Sequence, residues 1–554
     1  MTIPVHSSRP ELVFGLVGGA GTNLKDLSTE LRTTLKQFAY DVTEIRLSDL
    51  LENFAGWSPS PTGDELRRIT NLQRMGNEFR ATGSDGAALA RAAITAIRAH
   101  RASHTSDPDI PRDAHAYILH QLKHPDEVEL LRTVYGQAFH LIAGHAPRSE
   151  RISALAKRAA VRALKPGQEK QYEAGAIDII NNDDKQENDF GQNTRDTYPK
   201  ADFFADLGTT HGKHGVVRFI ELLFGHPFHT PKPDEYAMYQ ASAASLRSSD
   251  DNRQVGAVIV SLTQKETNKN IARYADVIAV GMNEVPRGGG GFYWEGESPD
   301  CRDQELVRQG DDRARDIKIS ALAELIGKIG SKGWLGGEAS DEDPNVLATK
   351  LLPSLRGTQF MNIGEFGRPV HAEMAALIDG ARRGVAVHGH PMYVTTFPCH
   401  NCAKHIIAAG IQKVIYLEPY PKSRTQHLYQ EEVVLEPGDG KEEKGKVVFS
   451  AFTGVGPRQY AQLFSMSKRG AKEGRSLNHW YGSQSELSPA YVPQNVFRQY
   501  LHEERSALQM LEASVYKWNP DAICPPVNLH KPIVAGTTSM KPSDGGETAV
   551  RELN

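Results

Sequence analysis

Only four cysteines occur in 554 residues, and two of them, Cys399 and Cys402, lie in "TTFPCHNCAKHIIAAG" (Thr395–Gly410). A Cys-x-x-Cys pair suits a redox couple, half of a structural zinc cage, or two ligands of a catalytic metal. A cage wants a second Cys/His pair of similar spacing. Neither Cys301 nor Cys524 supplies one. A redox couple would stand alone, yet "VHAEMAALIDGARRG" lies 28 residues upstream and opens a helical pattern with His371-x-Glu373. Cys399 and Cys402, at i and i+3, share one face of a first helical turn, with Pro398 just before it. The positive helix end favours thiolates. With His371 they make three ligands for Zn2+ and leave a fourth position for water, the open arrangement of a catalytic site. Glu373, two residues past the His ligand, is placed to take that water's proton and deliver it to a substrate. Whether Cys301 marks a second metal is left open.

The elements that must position these residues follow from periodicity. "ELVFGLVGGAGTNLKDLSTELRTTLKQF" reads as a buried strand, a glycine turn and a helix with Leu24, Leu27, Leu31 and Leu35 on one face. "DVTEIRL" is the next strand, and Ala116–Gly144 holds two strands around a helix. A second alternation begins near residue 231. It comprises a helix, strands "QVGAVIVS" (Gln254–Ser261) and "ADVIAVGMN", a long insertion, then a helix from His371, strand "PMYVTTF", a helix from Cys399 and strands "KVIYLEP" and "KVVFSAF". The expectation is α/β throughout: a parallel-sheet domain over 1–230, a three-layer α/β/α domain over 231–475, and a C-terminal helix with a Gly/Pro/Ser-rich tail over 476–554. "PGDGKEEKGK" reads as a solvated turn.

The pattern His-x-Glu…Pro-Cys-x-x-Cys is the zinc-deaminase signature. With "RQVGAVIV", "GMNEVP" and "VIYLEPYPKS", the region 231–475 resembles the deoxycytidylate deaminases of the cytidine-deaminase superfamily. "LRSSDDNRQVGAVIV", "NEVPRGGGGFYW" and "FTGVGPRQY" are more similar still to the two-domain bacterial antiphage dCTP/dCMP deaminases, which join a P-loop-kinase-like domain to the deaminase. The resemblance implies hydrolysis of deoxycytidine nucleotides to deoxyuridine nucleotides and ammonia, depletion of dCTP during phage infection, and an inhibitor such as a small RNA. It also implies a homo-oligomer. Asn283 would contact the deoxyribose, and Arg247, Ser248 and Arg253 would lie near the phosphates. Two departures stand out. Ala375 replaces the Asn that simple deoxycytidylate deaminases carry there, and Asp250 and Asp251 put acids close to the expected phosphates. Glycines 288–291 read as a site loop or a connector. Tyr293 and Trp294 read as core aromatics, with base stacking as the alternative.

The turn "GLVGGAGTN" resembles the phosphate loop of nucleotide kinases. The working motif is Gly-x-x-x-x-Gly-Lys-Ser/Thr. Started at Gly18, it finds Asn23, Leu24 and Lys25 where Gly, Lys and Ser/Thr belong. Started at Gly19, it places Lys25 correctly but lacks the second glycine and the hydroxyl. Gly18, Gly19, Gly21, Thr22 and Lys25 remain candidates for holding a nucleotide's phosphate through backbone N–H groups. Phosphoryl transfer needs the missing cation and magnesium ligand. A nucleotide-sensing or structural role is the expectation.

Charge balance limits the rivals. With 64 Lys+Arg against 68 Asp+Glu, the net charge is −4, without the basic footprint of a non-specific nucleic-acid binder. A deaminase acting on nucleic acid would want an aromatic, basic channel. An inert nucleotide sensor would have lost Glu373 or a ligand, and all are present. No signal peptide or membrane span is read, so a cytoplasmic protein with reduced thiols is expected.

Overall fold

A computed structural model describes residues 9–518 except 54–62, 187, 209, 252, 268–269, 356–357, 359, 361–366, 420–422, 437–444, 469–476 and 494–495. Most of the expected charged turn and all of the C-terminal tail with Cys524 lie outside the described residues.

The apolar run Leu12–Gly18 forms β1, buried along its whole length, as a strand covered on both faces must be. The glycine turn leads into α1 (Leu24–Gln37), which buries the predicted leucine stripe. The chain continues through β2 (Asp41–Arg46), α2 (Glu65–Gly83), α3 (Ala88–Thr105), β3 (His115–His120), α4 (Pro125–Tyr135) and β4 (Phe139–His145). Then come α5 (Arg148–Arg162), α6 (Glu173–Asp184), β5 (Phe203–Asp206) and α7 (Thr210–Leu223). Strands pair in the parallel order β2-β3-β1-β4-β5. The chain therefore leaves β1 towards one side and returns to the other. The turn after β1 opens at this topological switch point, where open α/β sheets bind ligands.

The second sheet holds the Cys and His segments. Its helix α8 (Pro233–Ser245) precedes an antiparallel hairpin of β6 (Gly256–Thr267) and β7 (Asn270–Met282). After the insertion come α9 (Ala372–Arg383), β8 (Pro391–Thr396), α10 (His400–Ala408), β9 (Lys413–Glu418), β10 (Val433–Leu435) and β11 (Val447–Ala451). The order is β10-β11-β9-β8-β6-β7. Two glycines reveal three layers. Gly256 pairs with Met282, and the neighbouring Ala257 pairs with Gly281, so Gly256 and Gly281 face opposite sides of the sheet. A Cβ on Gly256 would lie 1.9 Å from Ala241 O of α8, and one on Gly281 would lie 2.1 Å from Ala372 O of α9. Each helix thus presses on its own face, and Gly281 lets α9 sit close enough to fix His371. The insertion carries helices Arg313–Gly330 and Pro344–Leu351 around a small apolar cluster of its own.

Two later segments return to the first sheet. A two-residue strand, β12 (Gly454–Val455), pairs antiparallel with β5. The last helix, α11 (Val496–Trp518), packs on α2, α3 and α4. Its buried Glu504 meets Arg101 at 2.7 Å and Arg98 at 3.1 Å. Among the described residues no helix is long and apolar enough to cross a membrane.

Candidate metal and catalytic site

His371 and Cys399 share one local geometry. Each is the extended N-cap residue of its helix, α9 and α10 respectively, and neither side chain caps its own helix. Both side chains are thereby free to turn to a common point beside two positive helix ends. Cys402 follows one turn into α10 and is fully buried. The Nδ1 of His371 lies 3.4 Å from each sulfur. The three donor atoms lie within 4.8 Å of one another. Two sulfurs and an imidazole nitrogen at this spacing fit a zinc ion well, and three protein ligands leave one position open.

Glu373 stands in the first turn of α9 and is 4% exposed. Burial first, and then the Cys399 sulfur, push its carboxyl up to about 7. Cys399 is drawn down to about 4, chiefly by the hydrogen bond from Cys402. Cys402, holding that proton in a buried place, is pushed up. The hydrogen bond with Cys399 raises His371 to about 8. A bound divalent ion takes up two thiolates and displaces their protons. Glu373 also interacts with the Cys402 thiol, so its carboxyl faces the cluster.

The four residues expected near a substrate divide in two. Asn283 and Ser248 shape the loop beside the cluster. Asn283 Oδ1 accepts from Val255 N at 2.7 Å, while its Nδ2 donates to Arg253 O and Asp250 Oδ2 at 2.8 and 3.1 Å. Ser248 Oγ donates to Asn283 O at 2.6 Å. Arg253 pairs with Glu418 at 3.1 Å and keeps its side chain 37% exposed. Arg247 does something else. Its guanidinium lies 3.6 Å over the Trp294 ring and donates to the carbonyls of Phe292 and Tyr293 at 3.3 Å. It braces the glycine loop, where Gly289, Gly290 and Gly291 all adopt positive φ. Trp294 is 59% exposed, which overturns its expected place in the core.

At the first sheet, the glycine turn is already engaged. Ala20 N–H donates to Asp183 Oδ2 at 2.8 Å. Asp183 also pairs with Lys123 at 2.7 Å and accepts from Thr194 at 3.2 Å. Lys123 in turn donates to Gly18 O at 3.0 Å. Arg151 of α5 lies on the turn: a Cβ on Gly19 would be 2.3 Å from its Nη1, and one on Gly21 would be 2.5 Å from its backbone O. Lys25 is exposed on α1. Sequence reasoning missed Lys123, Arg151 and Asp183, which approach from three other elements and carry no local motif.

A second three-donor group among the described residues is Glu221, His226 and His229. His229 Nε2 lies 2.6 Å from Glu221, and His226 Nδ1 accepts from Phe228 N–H. Cys301 belongs to neither group.

Comparison with known proteins follows the same residues. Residues 231–418 match the family described as "Cytidine and deoxycytidylate deaminase zinc-binding region". The deoxycytidylate deaminase of Enterobacteria phage T4 is 46% identical over 55 residues, 10% of this chain and 28% of the relative. The human deoxycytidylate deaminase is 33% identical over 89 residues, 16% of this chain and 49% of the relative. The chain thus spans less than half the length of either. A solved dCMP deaminase from the cyanophage S-TIM5, in complex with dCMP and dUMP, aligns with 40% of this chain and 98% of its own at 18% identity and a TM-score of 0.20. The family match and the curated relatives support the deaminase family for the C-terminal region.

Proposed function

We propose that this protein is a zinc-dependent deaminase of deoxycytidine nucleotides, dCTP and/or dCMP. The observation that carries the reading is the convergence of His371, Cys399 and Cys402 beside the buried carboxyl of Glu373. Zinc held by these three donors supplies Lewis acidity that brings a water's pKa towards neutrality. The chain's own residues do the rest. Glu373 takes the proton of the water that attacks C4 of cytosine and returns protons to the ring nitrogen and the departing amine. Its burial keeps bulk water from competing for that proton. In this reading Asn283 contacts the deoxyribose, and Ser248 and the partly exposed Arg253 lie near the phosphates. The names of the relatives support the nucleotide as substrate.

In the same reading, 1–230 is a P-loop-kinase-like domain that has lost phosphoryl transfer. Support comes from the parallel order β2-β3-β1-β4-β5 with the glycine turn at its switch point. The cellular role is depletion of dCTP in the cytoplasm during phage infection, by a homo-oligomer restrained by a small RNA. These parts rest on the sequence resemblance. The deciding experiment incubates the zinc-loaded protein with dCMP, dCTP, deoxycytidine and a cytosine-containing single-stranded oligonucleotide, and measures ammonia and uracil-containing product. Faster deamination of the oligonucleotide than of dCMP and dCTP at equal cytosine concentration would sink the reading.

A further inference from the structure

The passage from the first sheet to the second carries a polar cluster that deamination does not use. Helix α7 ends in a Schellman turn: His226 N–H donates to Glu221 O at 2.9 Å and Gly225 N–H to Leu222 O at 3.0 Å, with Gly225 at φ 80°. Such a turn sets the side chain that closes it against the one five residues earlier, and the pair is commonly apolar. Here the pair is His226 and Glu221, 3% and 8% exposed. Three residues on, His229 folds back onto them. Its Nε2 lies 2.6 Å from Glu221 Oε2, and its ring stacks on His226 with centroids 3.8 Å apart. Phe228, between the two histidines, is 56% exposed. The chain turns two imidazoles inward and a phenyl ring outward, the reverse of what apolar burial alone selects. An ion pair between His229 and Glu221 would need neither the buried His226 ring beside it nor that reversal.

Donor chemistry gives the arrangement a purpose. One ligand atom from each of Glu221, His226 and His229 lies within 4.8 Å of the others. Two imidazoles and one carboxylate are a set that zinc accepts, with further positions left for water. Lacking sulfur, the set is harder than that of His371, Cys399 and Cys402, and suits zinc or nickel. The Tyr481 hydroxyl donates to Glu221 Oε1 at 3.5 Å and steadies the carboxylate, while Trp480 packs edge-on to the His226 ring at 4.5 Å. The His229 side chain is 24% exposed, which gives an ion its way in. Pro227 and Pro231 narrow the conformations open to the loop. Ligation breaks two present contacts. The rings leave their near-parallel stack of 18°, because an ion must lie in the plane of each. The Phe228 N–H loses its acceptor at 3.2 Å, whether His226 Nδ1 takes the ion itself or takes the ring's proton so that Nε2 can. The proton between His229 and Glu221 is released to solvent.

We propose that Glu221, His226 and His229 bind a second divalent transition-metal ion, zinc in the first place, which staples the C-terminus of α7 to the loop that leads into α8. The same loop is already tied to α7 by Arg218, which donates to Thr230 O and pairs with Glu235 of α8, both at 2.7 Å. Through Trp480 and Tyr481 the ion also fixes the short helix Leu477–Gly482 against this passage. Its role is structural: the free energy of binding adds to that of folding. The site shares no residue with the His371, Cys399 and Cys402 cluster and does not depend on the deaminase reading.

The test loads the full chain with zinc, dialyses it against metal-free buffer and counts the retained ions by elemental analysis. Wild type should hold about two per chain, and Glu221→Gln and His229→Gln about one, since a site of three protein ligands does not survive the loss of one. Both replacements keep hydrogen-bonding groups in place, so in chelator both variants should unfold close to wild type. Cys402→Ser should lose only the ion of its own cluster. Added zinc should then raise the unfolding temperature of Cys402→Ser and leave that of Cys402→Ser/His229→Gln unchanged. An equal count in wild type, Glu221→Gln and His229→Gln would overturn the proposal, and so would a zinc effect on stability that persists in the double variant. If wild type holds a single ion that Cys402→Ser keeps and His229→Gln loses, the staple stands and the zinc-deaminase reading falls.

Discussion

Asp183 Oδ2 lies 2.8 Å from Ala20 N, inside the glycine turn that follows the central strand. In a working phosphate loop such N–H groups face the phosphates. Here a carboxylate of the chain itself holds one of them, and Lys123 neutralises that carboxylate at 2.7 Å. The turn is therefore engaged as a structural joint between β1, β3 and α6. We expect no ATP-dependent phosphoryl transfer to nucleoside monophosphates. The check is ADP formation in the Glu373→Ala variant, which removes deamination from the assay. Stoichiometric ADP that vanishes on changing Lys25 or Lys123 would show a working kinase.

Metal content tests the cluster. The donor set has no spare member: the other three-donor group among the described residues, Glu221, His226 and His229, shares no residue with it. Cys402→Ser should lose zinc and deamination together, as read by elemental analysis and product formation. Wild-type zinc with wild-type turnover in that variant would end the ligand assignment.

Glu373 is separable from the ligands. It faces the cluster yet stands outside the three-donor group, so Glu373→Ala should fold and retain zinc. Deamination should fall by roughly a hundred- to ten-thousandfold, the usual worth of general acid–base catalysis. Turnover within a few-fold of wild type would assign proton transfer to another group.

What the sequence disclosed follows from how local each signal is. β1 and α1 were legible because a short apolar run ended by glycines suits a buried strand and leucines at helical spacing suit one buried helix face. The convergence of His371, Cys399 and Cys402 was legible because the two cysteines occupy one helical turn and His371 opens another helix. Arg247 was misleading, since its aromatic partner Trp294 lies 47 positions away, beyond the β6–β7 hairpin. Arg151 and Asp183 had no signal at all: their approach to the glycine turn is set by how α5 and α6 pack. The two-residue β12 is too short for any periodicity and exists only because β5 offers it an edge.

Buried histidines set the response to acid. His140 of β4 is 1% exposed between Phe14 and Phe219, and neither ring nitrogen has a hydrogen-bond partner among the described residues. Burial lowers its pKa from 6.5 to about 4. The unfolded chain therefore takes up a proton near pH 6.5 while the folded chain stays neutral. Stability is complete above that pH and declines as the pH falls from 6.5 towards 4, by about 1.4 kcal/mol per pH unit for this one proton. His115, lowered first by burial to about 3, adds to the slope. Urea denaturation at pH 7.5 and 5 should show the loss, and His140→Phe should reduce it. An unchanged difference in that variant would assign the acid sensitivity elsewhere.

The proposed phosphate contact of Arg253 is testable through substrate selection. Its guanidinium donates one nitrogen to Glu418 and its side chain stays partly exposed, next to the Asn283 and Ser248 hydrogen bonds. A phosphate there would gain charge-assisted hydrogen bonds, stronger than neutral ones. Deoxycytidine should therefore be a much poorer substrate than dCMP or dCTP. Arg253→Ala should cost the nucleotides more than the nucleoside and so narrow the gap in kcat/KM, by roughly tenfold or more for one lost charged contact. The alternative is that Arg253 only steadies β9 through Glu418. In that case the variant would slow nucleoside and nucleotide by the same factor, and the phosphate contact would have to be sought on another residue.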